Sequence, residues 1–293
     1  MIGKINYFGD NLIAAISSRS DGSMRLHGIP LIDEVAQANR LAYLSSLKVD
    51  PKNFVSCSLI HGANVEIVSN PKRKNTILEK TDSLITGEKN VFLSIMNADC
   101  FSLYLHDPAR EVIALAHCGW KGILTGVIEN TIDKMQSGFE SEPANIQAYI
   151  GPGIRECHLE VGAEVAARFT GFVNEYSIQT PIPGSSPDGK YTHETKKVLR
   201  VDLEGAIEER LVQAGLKRSN IAHSNQCTYC YKAITELKKL PEKSIFEYQY
   251  FSFRRDKSDP LATQMAVFGM KKEGEFVREA IMKQIRTKGE IKK

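Results

Sequence analysis

Three residues in this sequence each stand where an apolar, strand-like segment ends, and each carries a side chain that can bind a metal or attack a substrate. They are His61, Cys100 and His117. Strand ends that meet at a shared crevice are the usual place for function in an α/β protein. Two imidazoles and one thiolate suit a zinc ion with one coordination position left open. A Cys–His nucleophile pair would use the same residue types, so both chemistries stay open on this evidence.

Cysteine usage supplies a second candidate group. The six cysteines stand in a large chain without an apparent signal sequence, which favours thiols, metal ligands or a nucleophile over disulfides. Cys227-Thr-Tyr-Cys230 is a CxxC motif, which can form half of a zinc ribbon or a redox pair. The sequence has no second CxxC, and the flanking segments are unlike those of a thioredoxin. We therefore predict a structural or incidental role for this motif.

Two further segments could contact a ligand. Tyr248-Gln-Tyr-Phe-Ser-Phe-Arg254-Arg255-Asp256 combines aromatic rings with two arginines. It is equally compatible with an aromatic strand that ends in solvated charges and with a surface that stacks on a planar ring and binds phosphate or carboxylate. Gly151-Pro-Gly-Ile154 follows a predicted strand, but it fits neither the dinucleotide-binding nor the P-loop pattern.

The elements that must position these residues follow from apolar runs and periodicity. Strands and helices alternate without a clear linker or internal repeat, which predicts one mixed α/β domain over residues 1–270 and a basic, flexible tail over residues 271–293. Strands are predicted at residues 55–60, 65–68, 90–96, 101–105, 112–116, 146–150 and 221–224, helices at 31–47, 123–135, 161–169 and 203–215, surface loops at 69–80 and 177–190, and an aromatic segment at 246–253.

Composition and charge narrow the class of protein. Of 293 residues, 42% are hydrophobic and 25% charged, as in a soluble globular chain. Residues 271–293 hold eight Lys or Arg and four Asp or Glu, a balance of +4, so the rest of this +3 chain sums to −1. A neutral body argues against a nucleic-acid partner. Since no apolar run approaches the roughly 18–20 residues of a membrane helix and no signal peptide is evident, we expect a cytoplasmic protein with no membrane partner.

Several motifs together resemble one known family in order and spacing. The resemblance is to the laccase-domain family, also called polyphenol oxidase or multicopper oxidase and described more recently as purine nucleoside phosphorylase, and it covers about residues 20–270. The motifs are His61-Gly62, Asp82-Ser-Leu-Ile-Thr86, Ala98-Asp99-Cys100, Ala116-His117-Cys118-Gly119-Trp120-Lys121-Gly122, Ile150-Gly-Pro-Gly-Ile154 and Phe251-Ser-Phe-Arg254-Arg255-Asp256.

The resemblance implies a fold, a metal site and an activity. The fold would be α/β (α+β), a single-domain, layered αββα-type sandwich with mixed β-sheet. The metal, zinc in preference to copper, would be held by His61, Cys100 and His117. The activity would be phosphorolysis of adenosine, inosine or S-methyl-5′-thioadenosine, with adenosine deamination in some members. A bacterial branch of the family is linked to editing of peptidoglycan precursors. The oligomeric state stays open.

On the leading hypothesis, a zinc-dependent purine nucleoside enzyme, four more residues are assigned to the substrate. Arg40 and Arg255 would bind phosphate, Phe251 would stack on the purine, and Asp99 would orient a ligand or relay a proton. Laccase chemistry is disfavoured, because the chain has seven histidines and none of the paired His-x-His motifs of multicopper oxidases.

Three departures from the family pattern keep other hypotheses open. Leu59 replaces a usual glutamine, Cys118 replaces a usual alanine, and residues 259–264 lack an expected Gly-Arg. If that arginine binds an anion, the phosphate half of the reaction is weakened. One alternative is a metal-free hydrolase of amides or peptidoglycan precursors, with Cys100 as nucleophile and His117 as base. Another is a binding module whose catalytic site has decayed.

Overall fold

The computed structural model of the chain describes residues 3–69, 76–181, 193–232, 248–257 and 260–272. The strands in these ranges are β1 (Leu12–Ile16), β2 (Phe54–Cys57), β3 (Val65–Ile67), β4 (Thr76–Leu78), β5 (Ser83–Thr86), β6 (Phe92–Asn97), β7 (Phe101–Asp107), β8 (Val112–Cys118), β9 (Gln147–Ile150), β10 (Glu160–Val161), β11 (Val173–Pro181), β12 (His193–Val201), β13 (Ile221–His223) and β14 (Gln264–Met270). The α-helices are α1 (Pro30–Ser46), α2 (Trp120–Thr125), α3 (Val127–Phe139), α4 (Ala163–Ala166), α5 (Leu203–Gln213) and α6 (Phe253–Asp256).

Two mixed β-sheets form the centre of the fold. The five-stranded sheet has the order β1-β14-β6-β2-β4, in which β2 is parallel to both neighbours and β14 antiparallel to both of its own. The six-stranded sheet has the order β13-β9-β7-β8-β5-β3, in which β7 is antiparallel to β8 and β9 and the two edge strands are parallel to their neighbours. A smaller sheet, β10-β12-β11, lies outside these two.

The two large sheets pack face to face, so their central strands are buried on both sides. Along β7, Phe101 and Leu103 pack on the helical side, whereas Tyr104 points to the other sheet. Along β8, Ala114 packs on the helical side and Leu115 points to the other sheet. Successive side chains of a strand point to opposite faces. A strand enclosed on both faces therefore reads as a continuous apolar run, which is the pattern that predicted these strands.

Helices cover the two outer faces. Helix α1 packs Tyr43 and Leu44 against Phe92 and Val267 of the five-stranded sheet. Helices α2, α3 and α5 cover the six-stranded sheet, and their buried residues belong to the same cluster as the outward face of β7 and β8. The layers thus run helix, sheet, sheet, helix, which confirms the predicted αββα class. None of the helices in the described ranges is both long enough and apolar enough to cross a membrane.

Helix α1 confirms the helix predicted at residues 31–47. It begins at Pro30, a position where proline is favoured because the first backbone N–H of a helix has no intrahelical partner. The helix predicted at residues 123–135 is wrong in one respect, since Gly126 interrupts it with φ +92°. Glycine adopts this left-handed conformation at little cost. The interruption separates α2 from α3 and lets α2 start directly beside the site described below.

Two other predictions from local composition, a loop and a helix, were wrong because these segments pair with distant strands. Part of the polar loop predicted at residues 69–80 is β4, which pairs with β2, while residues 70–75 lie outside the described ranges. In place of the long helix predicted at residues 161–169, the structure has strand β10 followed by the short helix α4. Strands β5, β12 and β14 have no counterpart in the sequence prediction.

The remaining differences concern segments that the structure describes only in part. Residues 177–181 of the loop predicted at 177–190 belong to β11, and residues 182–190 lie outside the described ranges. Within the aromatic segment predicted at 246–253, residues 248–252 are irregular and α6 begins at Phe253. The tail predicted at 271–293 lies outside the described ranges from residue 273 onward.

A hydrogen bond across the two sheets provides a test of how they are held together. Tyr104 is fully buried, and its hydroxyl donates to the carbonyl oxygen of Ala15 in the opposite sheet at 2.9 Å. We predict that Tyr104→Phe lowers the free energy of unfolding by about 1–2 kcal/mol, because a buried hydrogen bond is lost while the packing is kept. Chemical denaturation measures the change.

The matched control is Tyr176→Phe, which removes the hydroxyl that donates to Glu156 at an exposed position. Its effect is expected to stay within about 0.5 kcal/mol. Equal effects of the two substitutions would contradict a special contribution of the bond between the sheets.

Candidate active site

The structure brings His61, Cys100 and His117 together. His61 lies in the loop after β2, Cys100 in the turn between β6 and β7, and His117 in β8. Their ligand atoms lie within 4.8 Å of one another, and the two imidazole rings meet edge to face with centroids 4.8 Å apart. Residues from three separate strand ends thus form one cluster, on the face of β8 that points toward the other sheet.

The backbone at the cluster adopts an unusual conformation at two positions. His61 has φ +58° and Asp99 has φ +87°. Histidine and aspartate enter the left-handed region more readily than most residues, and such conformations concentrate at functional sites. The turn that contains Asp99 joins β6 of one large sheet to β7 of the other. Cys100 therefore lies where the chain crosses between the sheets.

A buried carboxylate ties the cluster together. Asp82 is fully buried, and its Oδ1 accepts hydrogen bonds from the His61 backbone N–H at 2.9 Å and from Nδ1 of His117 at 3.2 Å. Its Oδ2 accepts the N–H of Gly62 at 2.9 Å. Because Nδ1 of His117 faces Asp82, Nε2 is left as the ligand atom, an arrangement typical of metal-binding histidines.

Sequence reasoning did not assign this role to Asp82. The residue was noticed only as part of the Asp82-Ser-Leu-Ile-Thr86 motif. The available signal was a single carboxylate placed directly before a strand that is buried along its whole length. A charge at such a position needs a specific partner, since an unpaired buried charge is strongly unfavourable.

The three side chains perturb one another electrostatically. Burial alone would raise the pKa of the Cys100 thiol, but the imidazoles of His117 and His61 outweigh it and lower the pKa to about 6. Burial alone would lower the pKa of His117, but the Cys100 thiolate and the Asp82 carboxylate raise it to about 9. Without a metal, the cluster therefore favours a thiolate beside an imidazolium at neutral pH. The thiolate is the form that binds metals and acts as a nucleophile.

Position 119 requires glycine because the backbone there passes close to Cys100 and His61. A Cβ atom at this position would lie 2.9 Å from Sγ of Cys100 and 3.3 Å from Cδ2 of His61. Any side chain would therefore displace a member of the cluster. Cys118, the neighbouring departure from the family pattern, packs in the core on the opposite face of β8 and adds no ligand to the cluster.

The cluster opens into a cavity of about 660 Å³, which is within the range of small-molecule sites. Among the described residues, three arginines contribute to its wall, namely Arg25, Arg40 and Arg254. Two aromatic side chains, Trp120 and Phe253, contribute as well. The site thus combines a metal-binding or nucleophilic cluster with positive charge and flat apolar surface, which suits an anionic or aromatic ligand.

Two of the four predicted substrate residues line this cavity. The Nε of Arg40 donates to the carbonyl oxygen of Met24 at 2.6 Å, and burial lowers its pKa to about 10, so the guanidinium is charged at neutral pH. Asp99 is engaged by the protein, since its Oδ1 accepts from the Thr228 hydroxyl at 2.7 Å and its Oδ2 from the Arg254 backbone N–H at 2.7 Å. This placement makes Asp99 a residue that holds other parts of the wall.

The structure does not bring the other two predicted substrate residues, Arg255 and Phe251, to the part of the wall that the described residues form. The guanidinium of Arg255 donates to the carbonyl oxygens of Thr228, Tyr229 and Tyr250 and lies 3.9 Å from the centroid of the Tyr248 ring.

Arg19 covers the ring of Phe251, with its guanidinium 4.8 Å from the ring centroid. The neighbours Phe253 and Arg254 line the cavity instead. The sequence could not distinguish Arg254 from Arg255, because adjacent residues of the short helix α6 point in different directions.

The chain is similar to a known family and to proteins of named activity. A family model described as multi-copper polyphenol oxidoreductase laccase matches residues 32–271. The chain is similar to purine nucleoside phosphorylase YlmD of Geobacillus stearothermophilus, with 28% identity over 80% of this chain and 78% of that protein. It is also similar to adenosine deaminase RL5 of an unknown prokaryotic organism, with 26% identity over 72% of this chain and 80% of the relative.

The fold is similar to a solved structure as well. The crystal structure of YlmD from Geobacillus stearothermophilus superimposes with a TM-score of 0.70 at 26% identity, covering 89% of this chain and 93% of that one.

The electrostatics of the cluster predict the reactivity of Cys100. In protein stripped of metal by a chelator, alkylation of Cys100 by iodoacetamide should rise with pH and reach half of its maximum near pH 6, because the thiolate forms there. Cys57, whose pKa burial raises to about 12, should stay unreactive at neutral pH. Mass spectrometry of the cysteine peptides measures both reactions.

His117→Asn provides the control for this prediction. Removing the imidazolium removes the main group that lowers the pKa of Cys100, so the alkylation profile should move to higher pH. A wild-type profile centred near the ordinary thiol value of about 8.5 would show that the cluster does not stabilise the thiolate.

Proposed function

Because the chain belongs to the multi-copper polyphenol oxidoreductase laccase family, we propose that it is a zinc-dependent purine nucleoside phosphorylase that acts on adenosine, inosine or S-methyl-5′-thioadenosine. The observation that carries the proposal is the convergence of His61, Cys100 and His117 beside a cavity of small-molecule size. The similarity to a purine nucleoside phosphorylase and to an adenosine deaminase supports the substrate class.

The cluster has the donors that a catalytic zinc site needs. Zinc takes nitrogen ligands at about 2.0–2.1 Å and sulfur at about 2.3 Å, so tetrahedral ligand atoms lie roughly 3.5 Å apart. The three ligand atoms lie within 4.8 Å of one another, which is close to that spacing. His61, Cys100 and His117 would hold the ion at the cavity. Zinc, when bound, supplies Lewis acidity that favours attack by an oxygen nucleophile at neutral pH.

The arginines of the wall suit the phosphate. Arg25, Arg40 and Arg254 line the same cavity. Nε of Arg40 donates to the carbonyl oxygen of Met24, and one Nη of Arg254 donates to the carbonyl oxygen of Glu160 at 2.9 Å, so each of these two guanidinium groups keeps further N–H donors. Guanidinium groups bind phosphate oxygens through paired hydrogen bonds. These residues would supply positive charge for the phosphate, although residues 259–264 lack the expected Gly-Arg. Trp120 and Phe253 would provide the surface on which a purine stacks.

The proposed reaction is a displacement at C1′ of the ribose. A phosphate oxygen forms a bond to C1′ while the bond from C1′ to the purine nitrogen breaks and its electron pair leaves with the purine. The contribution of this chain is to hold the anion against the sugar in the correct orientation, which converts a bimolecular reaction into one within the complex. Asp82 contributes by fixing the orientation of His117 and the loop of His61.

One observation favours a second candidate function, a cysteine hydrolase acting on amides such as those of peptidoglycan precursors. The carboxylate of Asp82 orients His117, and His117 lies beside a thiol whose pKa is lowered. A nucleophile, a base and an orienting carboxylate in this order form the usual arrangement for covalent catalysis. In that case Cys100 would attack the substrate, and activity would survive chelation of metals.

The leading proposal predicts a phosphate-dependent reaction. Zinc-loaded protein incubated with adenosine should release adenine when phosphate is present and little adenine when it is absent, as measured by chromatography. Cys100→Ala should lose the zinc ion of this cluster and the activity, because one of three ligands is removed. Cys118→Ala is the control, since this thiol packs on the opposite face of β8 and should leave both properties intact.

Other products would redirect the assignment. Inosine without adenine would indicate a deaminase. Activity that is retained in Cys100→Ala would contradict both the metal mechanism and the cysteine hydrolase. Chelator-insensitive cleavage of a muropeptide precursor that depends on Cys100 would support the hydrolase, and tight binding of nucleoside without turnover would indicate a binding module.

The role of Asp82 predicts an effect on metal affinity. We expect Asp82→Asn to weaken zinc binding by roughly 10- to 100-fold, because it removes the carboxylate that orients His117. Competition with a chromogenic chelator measures the affinity. Asp107→Asn is the matched control, since Asp107 is also buried and also accepts backbone N–H groups, but lies at the opposite end of β7. An unchanged affinity in Asp82→Asn would show that the hydrogen bond to His117 is not needed for the metal.

A further inference from the structure

A second group of metal-binding side chains lies outside the cavity. Cys157 and His158 stand in the turn between β9 and β10, and Cys227 and Cys230 in the turn after β13. Their ligand atoms all lie within 4.8 Å of one another. Two segments about 70 residues apart in sequence thus place three sulfur atoms and one imidazole around a common point. We propose that these four residues bind a second zinc ion, in a closed structural site.

The distances suit a tetrahedral ion. Sγ of Cys157 lies 4.0 Å from Sγ of Cys230, and Nδ1 of His158 lies 3.1 Å from Sγ of Cys157 and 3.9 Å from Sγ of Cys227. Zinc–sulfur bonds of about 2.3 Å place tetrahedral sulfur ligands roughly 3.8 Å apart. A disulfide would require a sulfur–sulfur distance of about 2.05 Å. The arrangement therefore matches a shared ion better than a covalent pair.

The backbone holds the two turns in this relation without help from the side chains. Gly153 and Cys227 form a β-bridge, in which the Thr228 N–H donates to the carbonyl oxygen of Gly153 at 3.0 Å. The N–H of Tyr231 donates to the carbonyl oxygen of Cys227 at 2.9 Å and closes the CxxC turn. Two turns that are fixed in this way present their ligands to each other before a metal arrives, which favours binding.

The imidazole is also held in position. The rings of His158 and Tyr229 stack with centroids 4.1 Å apart and an interplanar angle of 15°. This contact leaves Nδ1 on the side of the thiols. The tyrosine lies between the two cysteines of the CxxC motif, so the motif supplies both a pair of ligands and the surface that orients a third.

The number of ligands distinguishes this cluster from the first. Three ligands beside a cavity leave a position for substrate, whereas four protein ligands complete the tetrahedron and leave none. The Cys₃His set is one of the usual combinations in structural zinc sites. The second zinc would therefore not take part in the reaction.

The second site would instead support the first through hydrogen bonds of the CxxC turn. Thr228, inside the CxxC turn, donates to Asp99, whose other oxygen accepts the N–H of Arg254. The carbonyl oxygens of Thr228 and Tyr229 accept from Arg255. A zinc ion in this turn would stabilise the segment that holds the turn of Cys100 and the arginine of the cavity wall.

The test is the zinc content of the full-length protein, measured by elemental mass spectrometry in wild type, Cys100→Ala, Cys230→Ala and the double variant. We expect two zinc ions per chain in wild type, one in each single variant and none in the double variant. Cys230 is exposed, so its truncation removes a ligand with little loss of packing. Cys57→Ala is the control, because this buried thiol lies outside both clusters and should leave two ions bound.

The result also separates the two sites. If wild type holds one zinc ion, and this ion is lost in Cys230→Ala but kept in Cys100→Ala, the result would support the second site and contradict zinc binding at the first. Zinc content that is unchanged in Cys230→Ala would overturn the proposal, as would a Cys157–Cys230 disulfide in the native protein, detected as a mass lower by two hydrogens.

A second measurement applies if Cys230→Ala fails to fold. In native wild-type protein, zinc should protect Cys157 and Cys230 from iodoacetamide until a chelator is added, although both side chains are exposed. Peptide mass spectrometry follows the two thiols directly. Rapid alkylation of both before chelation would overturn the proposal.

Discussion

The candidate site depends on the placement of one buried carboxylate. Asp82 has no contact with solvent, yet it accepts hydrogen bonds from two backbone N–H groups of the His61 loop and from the ring of His117. A carboxylate in an apolar interior is stable only when its oxygens are satisfied in this way. The same bonds that satisfy Asp82 connect the loop of His61 to the central strand β8. The hydrogen bonds that stabilise the buried charge of Asp82 therefore also fix the positions of His61 and His117.

The sandwich explains why such a charge can be buried at this point. The two large sheets pack closely along most of their shared interface through residues such as Tyr104 and Phe268. At one end, the chain crosses between the sheets in the turn of Asp99 and Cys100, and the interface opens into the cavity. Strand ends from both sheets meet there. The core holds the strands rigidly, and the loops beyond it supply the chemistry.

On the two proposals, the clusters would have different tasks. The first offers three metal-binding side chains, a lowered thiol pKa and access to a cavity. The second offers four metal-binding side chains, which are held by a β-bridge and by a stacked tyrosine. Thr228, Asp99 and Arg254 connect them through two hydrogen bonds. A four-ligand site that stabilises the segments around the three-ligand site would keep the loops of the cavity in position, although these loops contain little regular structure.

The sequence by itself determined the layered α/β class, most of the central strands, helix α1 and the three residues of the first cluster, because continuous apolar runs and strand-end motifs are local signals. It did not determine the role of Asp82, strand β14 between β1 and β6, or the interruption of a helix at Gly126. Nor did it join Cys157-His158 to the CxxC motif or show that Arg254, and not Arg255, lines the cavity. These features depend on which distant segments meet and on which way a side chain points. Only the tertiary structure decided them, because contacts between segments far apart in sequence leave no local pattern in either segment.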